Sequence, residues 1–301
     1  MITQRYILNI FRTTALVMLL LSLLAVSGAQ SVVDVQPERR VDQITDDVIA
    51  ILGAFPEEIR FLLTQIQDVK QEFIQRTSFT TGTLRGKRVV VALTGIGKVN
   101  AATTTMLAIE HFRPKVVLFT GIAGGIHPQM MPGDIVIGKQ VAYHDYGTLS
   151  SSGMQRGPTR DPVTHTENPL YFPCDTAWVK LAERSSEKIS WEKIVTGNGS
   201  RVPTVRTGLI VTGDVFVASD SATRELYASM KADATEMEGA AVAQVCYQQR
   251  VPVLIIRSMS DNAGNNASHD IKTFYGIAAR NSAEFVMAIV GASQSVKQPA
   301  R

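Results

Sequence analysis

The chain has 301 residues, 45% hydrophobic and 19% charged, an ordinary globular balance with enough length for a sizeable core. Setting aside Arg5 and Arg12 of the N-terminal leader leaves 28 basic residues against 27 acidic ones, a net charge of +1, so nothing in the charge recruits nucleic acid. Two cysteines, Cys174 and Cys246, are too few for a disulfide framework, and Cys246 on an apolar helix face reads as a buried free thiol.

Residues 1–29 read as a signal peptide. Arg5 and Arg12 make a weakly basic start, Ala15 to Val26 is almost purely apolar, and Ser27-Gly28-Ala29 supplies small residues for cleavage. An apolar stretch of 12 residues is short for a membrane span. The expectation is an exported protein, periplasmic or secreted, that starts near Gln30 and has no membrane association after signal removal; an uncleaved membrane anchor is the alternative. Residues 30–47 are a polar lead-in.

Val48 to Leu52 is a continuous apolar run, the pattern of a strand buried on both faces. It leads through Gly53-Ala54-Phe55 to Pro56, Glu57 and Glu58, a proline and two acids suited to a helix's first turn. Ile59, Leu62, Leu63 and Ile66 continue at helical spacing. Phe79 to Leu84 and Arg88 to Leu93 flank Arg85-Gly86-Lys87 as a hairpin. Gly95-Ile96-Gly97-Lys98 lacks the spacing of a phosphate loop and opens a helix to about Phe112.

Val116 to Phe119 predicts another buried strand ending at the glycine-rich Thr120 to Gly125. Those glycines either make a bend or let backbone approach a ligand. Asp134 to Val141 predicts a further strand. Residues 149–206, rich in Ser, Thr, Gly and Pro, read as a surface excursion with one helix near Trp178 to Lys188. Thr207 to Asp214 resumes the sheet, Val215 to Val217 follows, and Ser221 to Lys231 is helical. Glu236 and Glu238 then stand at a helix start, and Val251 to Ile256 is an apolar strand with Asp261 at its exit. Phe274 to Gly291 predicts a last amphipathic helix, and residues 293–301 form a polar tail. The alternation argues a three-layer α/β/α domain over residues 48–292.

Glu58, Glu238 and Asp261 are either helix caps or the acids of a site outside the carboxyl ends of the strands. The five histidines are scattered singly and no nucleophile elbow is present, so the acids point to general acid–base chemistry without metal or cofactor.

Five segments resemble the methylthioadenosine/S-adenosylhomocysteine nucleosidase family of the nucleoside phosphorylase superfamily. They are Gly53 to Glu58, Thr120 to Gly125, Gly208 to Asp214, Glu236 to Ala240 and Ser260-Asp261, in matching order. The resemblance implies a nucleoside phosphorylase-like fold with a central mixed sheet, no cofactor, a purine nucleoside as substrate and a homodimer. It implies that Asp261, helped by Ser260, protonates N7 of the leaving purine, and that Glu58 activates water with help from Arg257. Glu238 would bind the ribose hydroxyls and Met237 would pack on the sugar. Phe216 would stack on the base and the Val217 backbone would read its edge, with Glu236, Ile122, Ala123 and Gly124 also lining the pocket. Ile122 stands where a serine is usual, Pro56 where an acid is common, and Ile271 where a phenylalanine faces the 5′ substituent. Phosphorylases of the superfamily resemble one another in arginine-bearing stretches absent here, and a phosphate dianion needs cationic partners. Water is therefore the expected nucleophile; a phosphorylase and a non-catalytic nucleoside-binding protein are the alternatives.

Overall fold

The computed structural model describes residues 48–196 and 199–293. The expected signal peptide and lead-in, and the tail from residue 294 onward, lie outside the described residues. No helix among the described residues is long and apolar enough to cross a membrane.

The elements follow in chain order as β1 (Ile49–Gly53), α1 (Pro56–Thr64), β2 (Gln67–Ile74), β3 (Thr77–Leu84), β4 (Lys87–Leu93) and α2 (Lys98–Phe112). Next come β5 (Val116–Gly125), β6 (Ile135–Tyr143), β7 (Gly147–Ser150), β8 (Gly153–Arg156), β9 (Phe172–Pro173), α3 (Thr176–Ser186), β10 (Ile194–Thr196) and β11 (Gly199–Arg201). The chain continues with β12 (Val205–Thr212), α4 (Asp220–Met230), β13 (Ala234–Glu236), α5 (Gly239–Gln248), β14 (Val253–Asp261) and α6 (Ala267–Ala292).

The fold is α/β around a large mixed sheet of order β13-β12-β6-β14-β5-β1-β4-β3-β2. The apolar runs become its centre: β1, β5 and β14 pair in parallel and bury nearly every side chain. One set of helices (α1, α3 and α6) packs together on the sheet, and α2 pairs with α5 in a second set. The sheet also bends back on itself. Thr235 of β13 pairs with Gly124 of β5, so β5, β14, β6, β12 and β13 form a closed ring. Residues at the ends of these strands are thereby drawn around one mouth.

Several boundaries differ from the sequence reading. Thr120 to Gly125 is not a turn after a strand but the last part of β5, because its amides and carbonyls pair with β14 and β13. Likewise β14 runs to Asp261 rather than ending at Ile256, since the polar residues Arg257 to Asp261 are held inside the sheet. Val215 to Val217 lies outside regular structure. The final helix begins at Ala267, and α3 ends at Ser186 with Asp175 capping it through Ala177 N and Trp178 N. The segment 149–206 is a surface excursion only in part: β7 and β8 are a solvated hairpin, whereas Phe172, Trp178, Leu181 and Ala182 rejoin the core. Its helix carries apolar residues at core spacing, and burying them outweighs the polar composition around it.

The predicted hairpin is β3–β4, turned at Arg85 and Gly86 with φ of 51° and 74°, the left-handed pair of a tight two-residue turn. Its outer neighbour β2 escaped the sequence reading, being a polar edge strand with little buried. Cys174 and Cys246 are free buried thiols, and burial pushes Cys174 up to about 12.

Candidate active site

The first acid is placed by helix α1. Glu58 sits in its first turn, and the side chain folds back so that Oε2 accepts from Ala54 N at 2.5 Å and Phe55 N at 3.3 Å. Oε1 accepts from Ile122 N of β5 at 2.9 Å. One carboxylate thus ties the loop after β1 to the neighbouring strand. Burial raises the Glu58 pKa, and Arg257 and the three amides only partly offset it.

Arg257 projects from the middle of β14 and is fully buried. Its guanidinium stacks 4.6 Å from the Phe119 ring centroid. Nη2 donates to Glu236 Oε2 and to Glu238 Oε2 at 3.3 Å, while Nη1 lies 3.6 Å from Glu58 Oε1. Three carboxylates therefore surround one buried cation. Burial would lower the Arg257 pKa, and the acids more than compensate. Gly121 makes this packing possible: a Cβ there would collide with the Glu58 carboxylate and with Arg257 Nη1. Among the described residues, Nη1 and Nε have no hydrogen-bond partner.

Glu236 ends β13 and accepts from Thr212 Oγ1, Glu238 N at 3.0 Å and Gly239 N at 2.8 Å besides Arg257. It holds the guanidinium and the start of α5 together. Glu238 occupies the N-cap position of α5, and its Oε1 accepts from Gly97 N at 2.8 Å. Burial, with Glu236 close by, lifts Glu238 to about 7 although Arg257 opposes the shift.

Asp261 closes β14 after a register shift between Met259 and Asp261, a bulge that re-aims the strand end. Oδ2 accepts from Ser260 Oγ at 2.7 Å and Oδ1 from Ala263 N at 2.7 Å. Burial raises the Asp261 pKa despite these two donors. Gly124, Val215, Phe216, Val217, Thr235, Glu236, Met237 and Asp261 line one narrow cleft. Ala123 O lies 3.4 Å from Ser260 Oγ, and Ile122 packs with Phe55 and Ile271 against Ala278 and Ala279 as an apolar wall beside Glu58.

Of the twelve residues singled out in the sequence, eleven lie in this cleft, in the ion cluster or on β5, and the twelfth, Ser260 of β14, bonds the Asp261 carboxylate. Two participants escaped sequence reasoning. Gly97 acts through its backbone amide, which no side-chain pattern announces, although φ of 96° explains why glycine stands there. Thr235 presents at the cleft a buried hydroxyl with no partner among the described residues, and the strand pairing of β13 brings it there. Among the described residues, no group of three or more His, Cys, Asp or Glu side chains is arranged to hold a metal ion. A buried acid and a separate acid–arginine pair in one site can protonate one side of a bond and activate water at the other.

Residues 48–291 match the family model of the phosphorylase superfamily. The chain is similar to a 5′-methylthioadenosine/S-adenosylhomocysteine nucleosidase of Geobacillus sp. (strain WCH70), 38% identical over 248 residues that cover 82% of this chain and 99% of that protein. The same activity names a Neisseria meningitidis crystal structure in complex with methylthio-immucillin-A, at TM-score 0.71 and 36% identity, covering 82% and 99% of the two chains. The futalosine hydrolase of Helicobacter pylori strain 26695 is similar at TM-score 0.69 and 30% identity, covering 81% and 97%.

Two outcomes follow from the crowded ion cluster. Gly121→Ala destabilises the protein by about 2 kcal/mol or more in urea unfolding, because the Glu58–Arg257 contact has no room to yield. Gly276→Ala, at a helical position facing open space, stabilises by up to about 1 kcal/mol and serves as the control. Glu238, raised from 4.5 to about 7 in the folded chain, retains a proton that the unfolded chain has released. Its contribution to stability is complete below the unfolded value and disappears as pH rises through that window. Urea midpoints measured across it fall with pH in the ligand-free protein, and Glu238→Gln flattens the decline; an unchanged slope would refute the shift.

Proposed function

The chain belongs to the phosphorylase superfamily, and on that premise we propose how it works as a nucleosidase that hydrolyses the N-glycosidic bond of adenosine derivatives to release adenine and the ribose moiety. The observation that carries hydrolysis over phosphorolysis is the charge balance at Arg257. Its guanidinium is already opposed by Glu58, Glu236 and Glu238, so a phosphate dianion entering here would meet carboxylates rather than free cations. Water carries no such penalty.

In this reading Asp261 holds a proton that it gives to N7 of the departing purine, and Ser260 orients the carboxyl. The raised Asp261 pKa supports that role, since an acid must be protonated near the working pH. Glu58 draws a proton from the attacking water, and Arg257 Nη1, close to Glu58 Oε1 and without a hydrogen-bond partner among the described residues, supports a place for that water beside the pair. Glu238 receives the ribose hydroxyls and Met237 packs on the sugar. Phe216 stacks on the base, Val217 meets its edge through the backbone, and Ile122, Ala123 and Gly124 line the pocket floor. Glu236 acts at one remove, by aligning Arg257 and Glu238. Loss of the purine leaves an oxocarbenium-like sugar, which water attacks from the opposite face. The apolar wall of Phe55, Ile122 and Ile271 supports a thioether rather than a hydroxyl at the 5′ position.

Two further proposals concern the whole chain. It is exported, supported by the basic start, the apolar run Ala15 to Val26 and the small residues before Gln30. It works as a homodimer, supported by an apolar groove between α2 and α5 lined by Met106, Leu107 and Val245.

Free-base release from methylthioadenosine, S-adenosylhomocysteine, adenosine and inosine, with and without phosphate, tests the activity. The expected result is phosphate-independent adenine release, best from the thioethers, with Asp261→Asn slower by roughly 10²–10⁴-fold. Turnover only with phosphate would overturn the reading of Glu58. Sequencing the N-terminus of exported protein and measuring its mass by light scattering check the other two: a start near Gln30 and twice the chain mass are expected. An intact N-terminus or a monomer would reject them.

A further inference from the structure

The stretch from Gly213 to Ser219 carries Phe216 and Val217 and has no regular structure of its own, and Phe216 is half exposed. Its position depends on what holds its two ends. The far end is fastened to the turn after Asp261: Ser219 N donates to Ala263 O at 3.0 Å and Thr223 Oγ1 to the same oxygen at 2.7 Å. Asp220 adds contacts with Asn265 N at 3.0 Å and Nδ2 at 2.8 Å.

The near end is fastened differently. Asp214 N donates to Asp145 Oδ2 at 2.8 Å, and Asp214 Oδ1 accepts from Lys98 N at 2.8 Å. The Lys98 ammonium donates to both Asp145 oxygens at 2.8 Å and lies 3.7 Å from Asp214 Oδ2. One cation thus satisfies two carboxylates that would otherwise repel each other. Burial alone would raise the Asp145 pKa, yet its bonds to Lys98 and Asp214 N hold it below the usual carboxylate value. The preceding residue, Gly97, donates its amide to Glu238. Adjacent amides at the start of α2 therefore reach the sugar side and the base side of the cleft at once.

We propose that Lys98 is a positioning residue that locks the Phe216-bearing loop to Asp145 and keeps it in register with the Gly97–Glu238 contact, so that base and sugar are gripped together. This rests on the nucleosidase reading above. Lys98 bonds Asp145 and Asp214 rather than Glu58 or Asp261, the acids that move protons. Its ammonium is 5.5 Å from the Tyr143 ring centroid, which fixes the side chain's direction.

The test uses the full chain with Lys98→Met, which keeps the stem and removes the charge, and Lys98→Arg, which restores it. Three quantities are measured: methylthioadenosine kinetics, equilibrium binding of adenine, and amide hydrogen exchange in the ligand-free protein. Lys98→Met is expected to raise KM and the adenine Kd about tenfold, change kcat less than about threefold and leave the pH limbs in place. Exchange should quicken at residues 213–217 and stay unchanged in the central strands, with Lys98→Arg returning within about threefold of wild type. Constants and loop exchange both within about twofold of wild type would overturn the proposal, as would a drop in kcat at constant KM. Faster exchange throughout the molecule would also overturn it, by showing a general structural role. If the wild type releases no adenine, the nucleosidase reading fails, and the exchange measurement still decides the lock.

Discussion

A single guanidinium buried among three carboxylates organises this protein. Arg257 comes from the central strand, Glu58 from the first helix, and Glu236 and Glu238 from the end of β13 and the start of α5. Removing a charge from water is costly, and only close opposite charges and hydrogen bonds make such a site tolerable. The cluster therefore fixes where three distant segments meet. It also carries an excess of acid over base, and that excess has a chemical result. Burial pushes Glu58 and Glu238 toward holding protons, and for Glu238 the neighbouring acids add to it, bringing that group to about 7.

The ring of strands adds the second constraint. Closing β13 onto β5 brings Thr235 and Glu236 beside Gly124 and Asp261, residues far apart in the chain. The bulge at the end of β14 turns Asp261 into the cleft, and Ser260 and the Ala263 amide hold it there. The acid at the cleft and the acid against Arg257 thus have different surroundings. Different surroundings are what allow two carboxyl groups to take opposite roles in one reaction.

Much of this was legible in the chain itself. The apolar runs of β1, β5 and β14 were readable as buried strands, because both faces must be covered in such a sheet. Glu58, Glu238 and Asp261 stood out because each follows or precedes a buried element among small residues. The ends of β5 and β14 were misplaced for the same reason that the site exists. Glycines and polar residues normally stop a strand, yet here Gly121 to Gly125 and Arg257 to Asp261 continue the ladder to make room for the ion cluster. The polar edge strand β2 carried no signal, since a solvated strand needs no apolar pattern. Part of the 149–206 segment proved to be core, which composition alone concealed.

What the sequence alone determined is the local chemistry: which runs prefer burial, which residues can carry a proton, and an order of motifs that matched a known family. Those properties belong to single residues and short periods, so they survive without coordinates. Only the tertiary structure decided which donors each acid meets. The Gly97 amide, the Thr235 hydroxyl and the Lys98–Asp145–Asp214 contacts come from segments far apart in the chain, with backbone groups as frequent partners. Backbone amides are the same in every non-proline residue. Where they point is a property of the fold, and so are the proton affinities of the acids that they meet.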